Sequence, residues 1–302
     1  MKTSRRDFIK AGAFATIGAA LLPRDAFAFY KAKEIVGLQL YSVRDDMYNN
    51  PLETLTALAN MGYVYVEHAN YIDRKFYGYN ATEFRNVLDG LGLKMISGHT
   101  VMGKQHWDES ANDFSDSWKY TVEDAAILGQ KWVISPWMDE SMRKTYDDFK
   151  HYMDIFNKSG ELCQKSGMKF GYHNHAFEFS EKLNGEKIFD IMMKSMEQNL
   201  VAMQLDIGNL YNGGAVALDV MNQYPGRFEI IHVKDEIAGD GGEEKYISTI
   251  LGKGIVNAQK VVELAAKIGG TNCFIIEQEA YQGKTPMESV KEDLQVMKNW
   301  GY

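Results

Sequence analysis

The chain has 302 residues, of which 45% are hydrophobic and 25% charged, with a formal net charge of −8. That composition belongs to a folded globular protein with ample material for a core. The acidic balance and the lack of a basic stripe exclude nucleic acid as an expected partner, and beyond the N-terminal segment no run is long and apolar enough to span a membrane.

Residues 1–28 read as a separate element. A basic SRRDFIK is followed by AGAFATIGAALL and then Ala26-Phe27-Ala28. A charged start, a moderate apolar stretch and a small-x-small ending describe an export signal. The Arg5-Arg6 pair followed by Phe8 resembles a twin-arginine signal, so the expected location is periplasmic, with a mature chain from about Phe29.

After residue 35 the chain alternates short apolar runs with helical segments. The predicted strands are Val36–Val43, Tyr63–His68, Lys94–Val101, Lys131–Trp137, Lys169–His175, Val201–Ile207, Phe228–Lys234 and Asn272–Gln278. Each is nearly continuous in β-branched, Leu or aromatic residues, as a strand covered on both faces should be. Between them the apolar spacing is helical. The predicted helices start at Pro51 and then run Thr82–Leu91, Asp113–Leu128, Thr145–Ser166, Glu186–Met196, Ala215–Tyr224, Asn257–Ile268 and Pro286–Trp300. Helix, Gly and strand recur in that order in MGYVYVE, LGLKMIS, LGQKWVI and SGMKFGY, where Gly supplies the left-handed turn after a helix. Eight such units in one domain, residues 29–302, predict an α/β fold, a (β/α)8 TIM barrel. An open doubly wound sheet is the rival, but no Gly-rich phosphate loop follows an early strand. The Gly-rich insertion Ala238–Glu244 is expected to be a mobile loop at the rim. Cys163 and Cys273 read as buried small hydrophobes. Trp107, Trp118 and the Met192, Met193, Met196 group read as packing.

In such a barrel the chemistry lies at the C-terminal strand ends. Four of them close on His173 (KFGYH), Asp206 (VAMQLD), His232 (FEIIH) and Glu277 (CFIIE). Two imidazoles and two carboxylates converging on one face form a candidate divalent-metal site, with His175 or Glu178 as other sources of the strand-five ligand. Mixed nitrogen and oxygen donors suit Mn²⁺, Zn²⁺, Fe²⁺ or Co²⁺ better than Ca²⁺. With no thiolate in the set, an open Lewis-acid site is expected rather than a closed structural one. Lys234 is a candidate electrophile or substrate-oxygen contact. Glu67, His99, Trp137 and Asn209 are candidate substrate-binding residues, and Glu67 or Glu279 could instead orient an imidazole.

The motifs GLQLYSVRD, GYVYVE, YHNHAFEF, LDIGN, HVKD and IIEQE, spread from about Val36 to Trp300, resemble the xylose isomerase-like TIM-barrel proteins, also called the sugar phosphate isomerase/epimerase family. The resemblance implies one divalent metal ion, Mn²⁺ first and Zn²⁺ or Co²⁺ otherwise, held by Asp206, His232 and Glu277. Strand five departs from the family pattern, with His-Asn-His in place of a glutamate. The implied activity is a metal-dependent isomerase or epimerase. It would abstract a proton beside a carbonyl, on a non-phosphorylated sugar or keto-sugar because no Arg/Lys phosphate grip is present. Glu277 with His175, or with Glu178, would move the protons, and Lys234 or His99 would steady the oxyanion. A lyase or hydratase acting on 3-keto-glycosides, or an enzyme like inosose dehydratase, shares that step and is the runner-up. An exported sugar-binding barrel without catalysis is the reading from another class, and a related metal-dependent endonuclease is disfavoured by the charge balance. The expected partner is a small-molecule carbohydrate, and a homodimer is compatible with the sequence.

Overall fold

The computed structural model describes residues 34–239, 245–268 and 270–302. The predicted export signal over residues 1–28, and Asp240–Glu244 of the Gly-rich insertion, lie outside the described residues. Eight parallel strands close into a barrel: β1 (Ile35–Gln39), β2 (Tyr65–His68), β3 (Lys94–His99), β4 (Trp132–Ser135), β5 (Lys169–His173), β6 (Val201–Asp206), β7 (Phe228–Val233) and β8 (Cys273–Ile276). Each strand pairs with the next in sequence, and β8 pairs with β1. The principal helices are α1 (Pro51–Met61), α2 (Ala81–Leu91), α3 (Asp116–Leu128), α4 (Tyr146–Gln164), α5 (Ile188–Ser195), α6 (Ala217–Gln223), α7 (Ala258–Ile268) and α8 (Pro286–Asn299).

The helix boundaries follow local chemistry. The Asn50 side chain accepts the Glu53 N–H ahead of Pro51, and Asn80–Glu83 and Thr285–Glu288 form capping boxes. Gly62 closes α1 at φ 101°, a conformation costly for any residue with a Cβ.

Side chains alternate along each strand, so period two sorts the barrel into two faces. Val201, Met203 and Leu205, with Phe274 and Ile276, face the helices and join the large core between barrel and helix ring. Ala202, Ile230, Cys273 and Ile275 face the axis and pack with Ile96, Trp132 and Ile134 into a separate apolar plug. The same inward parity, continued two to four residues further, delivers Gln204, Asp206, His232 and Glu277 to the axis above the plug. A dry floor therefore lies directly beneath a polar layer.

Several boundaries differ from expectation. Strand β1 stops at Gln39, whose side chain accepts the Tyr41 N–H and turns Leu40–Val43 into a 3₁₀ segment. Strand β4 stops at Ser135 because Pro136 has no N–H for the ladder, so Trp137 stands on the loop beyond it. Residues 113–114 and 186–187, expected in helices, instead pair with 107–108 and 182–183 in short hairpins. The second hairpin turns on Asn184-Gly185, both at positive φ, a sequence signal for a two-residue turn. Both cysteines are buried and free, and Trp118 is buried with its Nε1–H on Ser159 Oγ at 2.9 Å.

Candidate metal centre

Strand register sets the site. Asp206 pairs with His232 across β6 and β7, Gln204 pairs with His173 across β5 and β6, and Gln39, Glu67 and Ser97 are partners across β1, β2 and β3. One donor atom each from His173, Asp206, His232 and Glu277 lies within 4.8 Å of all the others, and all four residues are buried. Asp206 Oδ2 stands 3.8 Å from His232 Nδ1 and 3.9 Å from His173 Nε2, and Glu277 Oε2 is 3.2 Å from His232 Nδ1.

The imidazoles are aimed by what lies beneath them. Glu67 is fully buried, and its Oε1 accepts His232 Nε2–H at 2.7 Å. A carboxylate cannot donate, so Nε2 carries the hydrogen and Nδ1 turns to the centre. The remaining capacity of Glu67 is filled by Gln39 Nε2 at 2.6 Å, Gln204 Nε2 at 2.7 Å, Ser97 Oγ at 2.5 Å and His99 Nε2 at 3.1 Å. Gln204 Oε1 in turn faces His173 Nδ1 at 3.0 Å and His99 Nε2 at 2.7 Å. His173 Nε2 is thereby left as an acceptor toward the centre, where Asn209 Nδ2 also reaches it at 3.3 Å. This is the carboxylate–histidine arrangement that fixes tautomer and ring angle in metal sites.

The charges report the same crowding. Burial would raise the Glu67 carboxyl, but His99 and His232 hold it well below the usual carboxylate range. Burial would lower His232, yet Glu67 and Glu277 beside its ring raise it to about 10. Glu277 is held well below its usual range by Lys234 and His232, against its burial. Asp206 is different: burial pushes it up to about 7 despite the neighbouring Lys234. Its Oδ1 accepts the Asn209 N–H at 2.6 Å, whereas Oδ2 has no hydrogen-bond partner. An unpartnered buried carboxylate oxygen is costly unless a cation meets it. Two imidazole nitrogens and a second carboxylate oxygen surround that atom at the spacing expected of ligands about 2.1 Å from one ion. The residues therefore fit a divalent metal.

His99, His175 and Asn209 line the cavity that opens above the centre. His175 is mostly buried, its Nδ1 lacks a partner, and burial lowers it to about 4. Trp137 meets the His175 ring edge-on at 4.9 Å. Lys234 pairs with Glu279, reaches Asn209 Oδ1 at 3.3 Å and stands 3.8 Å from Glu277 Oε2; its ammonium is held well above its ordinary value by the surrounding carboxylates, against its burial. A Cβ on Gly208 would come within 2.8 Å of the Lys234 stem, which explains a glycine beside Asp206.

Two expectations are corrected. The Glu178 carboxylate is not turned to the centre: its oxygens accept Tyr172 O–H at 2.7 Å and His175 N–H at 2.8 Å. It sits beside Tyr172, whose parity on β5 is opposite to that of His173. Glu67, expected as a substrate contact, is instead fully buried beneath His232 and is not among the residues that line the cavity. Gln39, Gln204 and Ser97 were missed; their signal is a polar side chain at inward parity within an otherwise apolar strand. Tyr71, Arg74 and Tyr120 line the cavity from a loop and α3, where no sequence pattern marks them.

The chain belongs to the family of xylose isomerase-like TIM barrels, whose model matches residues 55–300. An inosose dehydratase from Geobacillus kaustophilus (strain HTA426) is 26% identical over 200 residues, covering 61% of this chain and 61% of that protein. Two further inosose dehydratases, from Geobacillus thermodenitrificans and Clostridium perfringens, are matched over 54% and 42% of their lengths, so the chain spans less than two thirds of these curated relatives. The crystal structure of a sugar phosphate isomerase/epimerase from Parabacteroides distasonis ATCC 8503 superposes with a TM-score of 0.75 at 26% identity, covering 92% of this chain and 98% of that one. A zinc-bound IolI protein shares the fold at 14% identity, with a TM-score of 0.68 over 88% of this chain and 97% of that one.

Proposed function

We propose that this member of the xylose isomerase-like barrels is a divalent-metal-dependent isomerase or epimerase. It removes a proton beside the carbonyl of a non-phosphorylated sugar or keto-sugar and returns it through an enediolate. The observation that carries the reading is Asp206 Oδ2, a buried carboxylate oxygen without a partner, facing His232 Nδ1 and His173 Nε2. His173, Asp206, His232 and Glu277 would hold the ion, Mn²⁺ first and Zn²⁺ or Co²⁺ otherwise. A divalent ion bound there supplies Lewis-acid polarisation of a carbonyl.

The chain's own residues would do the rest. Glu277, kept ionised beside Lys234, accepts the proton from carbon. His175, whose ring lines the cavity, is the second proton carrier. Lys234 Nζ donates to the oxygen on which negative charge develops. The dry apolar floor keeps water from beneath the reacting groups and strengthens these charges.

One observation favours a second reading. With Glu178 turned to Tyr172, strand five offers no carboxylate opposite Glu277. One carboxylate base facing one ammonium acid is the pair that β-elimination of water or of an alcohol requires. A dehydratase or lyase using the same first step follows from that pairing. The name of the Geobacillus kaustophilus relative, inosose dehydratase, supports it.

The test is proton NMR in D₂O with metal-analysed protein, keto-sugars and 3-keto-glycosides. Deuterium entering the carbon beside the carbonyl supports the shared step, and the product separates isomer from elimination. Metal-loaded protein that exchanges no proton with any of these substrates, or protein that takes up no divalent metal, would overturn the reading.

A further inference from the structure

The cavity above the metal centre encloses about 930 Å³, near the upper end for small-molecule sites, and a single sugar ring fills only a fraction of it. His173 and Glu277 mark the inner end. The outer end is a wall formed by the segment after β2 and by α3, carrying Tyr71, Ile72, Arg74 and Tyr120. The wall is built rather than incidental. Asp124, itself buried on α3, accepts Tyr71 O–H at 2.6 Å and both Arg74 Nε–H and Nη2–H, at 2.9 and 2.6 Å. The Arg74 guanidinium lies 4.2 Å from the Tyr120 ring centroid. Asp73 and Arg74, at positive φ angles of 49° and 61°, are the central residues of a tight turn closed by the Ile72–Lys75 pair, which carries Ile72 and Arg74 to the wall.

Two properties of the wall indicate its occupant. Large apolar side chains stay open to solvent there, Ile72 at 62% and Tyr120 at 41% exposure, and both are among the residues that line the cavity. The Arg74 charge is met by Asp124 and Glu123, so this wall has no spare cation for a phosphate; the guanidinium covers part of the Tyr120 ring, and the apolar surface that remains is the rest of that ring with Tyr71 and Ile72. Ring-shaped groups with an apolar face are what such surfaces hold.

We propose that this outer lobe is a subsite for a second ring, joined by a glycosidic bond to the sugar at the metal centre. The natural substrate is then a glycoside rather than a free monosaccharide. The inference rests on the proposed reaction for the identity of the inner sugar. Calorimetric titration with glucose, cellobiose, maltose and 4-nitrophenyl β-glucoside measures the lobe without turnover. At least one two-ring probe is expected to bind about tenfold tighter than glucose, with Tyr120→Ala and Ile72→Ser each reducing that advantage and leaving glucose affinity unchanged. The disaccharides and the aryl glucoside distinguish a sugar from an aryl second ring. Equal affinity for all probes, no binding by any of them, or an advantage that survives both substitutions overturns the subsite. A two-ring advantage in protein that exchanges no proton sinks the reaction and leaves the subsite standing; exchange on free keto-sugars without that advantage does the reverse.

Discussion

Glu67→Gln tests whether the buried carboxylate, rather than strand geometry alone, aims the candidate metal ligands. The substitution keeps volume and removes charge from a group whose two oxygens receive Gln39, Gln204, Ser97 and both His99 and His232. Every one of those neighbours presents a donor to Glu67, so the new amide NH₂ must face a donor whichever way it turns. One such mismatch leaves a buried group unsatisfied and costs about 1–3 kcal/mol of folding stability. His232 also loses the acceptor that holds Nε2–H and directs Nδ1 inward. Loss of such an outer partner weakens metal binding about 10- to 100-fold, or about 1.4–2.7 kcal/mol. The assay is calorimetric titration of metal-stripped protein with Mn²⁺, alongside urea denaturation. The expected result is unchanged stoichiometry with a dissociation constant raised by that factor. A variant that binds Mn²⁺ like the wild type, with the stability loss alone, would refute the orienting role of Glu67.

Three further outcomes are expected. Glu277→Gln should abolish solvent proton exchange while Glu178→Gln retains it, because only Glu277 faces the centre; equal loss in both, measured by NMR in D₂O, would return Glu178 to the site. Burial raises Asp293 on α8 to about 7, so the folded state binds its proton more tightly than the unfolded chain. The stability contributed by that proton is full below the ordinary carboxylate range and disappears as pH rises through about 7. Asp293→Asn keeps the acceptor for Leu251 N–H and should gain on the wild type by on the order of 3 kcal/mol between pH 4 and pH 8, read by denaturation at each pH; parallel profiles would exclude the effect. Replacing Arg5 and Arg6 by Lys should retain the protein in the cytoplasm, and unchanged periplasmic fractionation would remove the twin-arginine assignment.

Much of the architecture was legible in the sequence because it follows from local periodicity. Continuous apolar runs, Gly stops and Pro or Asn helix starts recur eight times, and each works through a few neighbouring residues. Strand parity also placed His173, Asp206, His232 and Glu277 at one end of the barrel, since side-chain alternation is a property of the strand itself. What periodicity could not supply was partnership across strands. Glu67 lies 165 residues from His232, and only closure of the barrel and its register put one beneath the other. The same closure gave Gln39 and Gln204 a purpose that two isolated buried amides do not disclose. Glu178 illustrates the reverse case. It follows the YHNH run closely enough to look like a ligand, but a short helical turn carries its carboxylate to Tyr172. The sequence by itself determined which face of each strand would be polar and that those faces would meet. Tertiary structure alone decided which atoms face the candidate ion and which stand behind them, because hydrogen-bond direction depends on neighbours that the chain brings together only on folding.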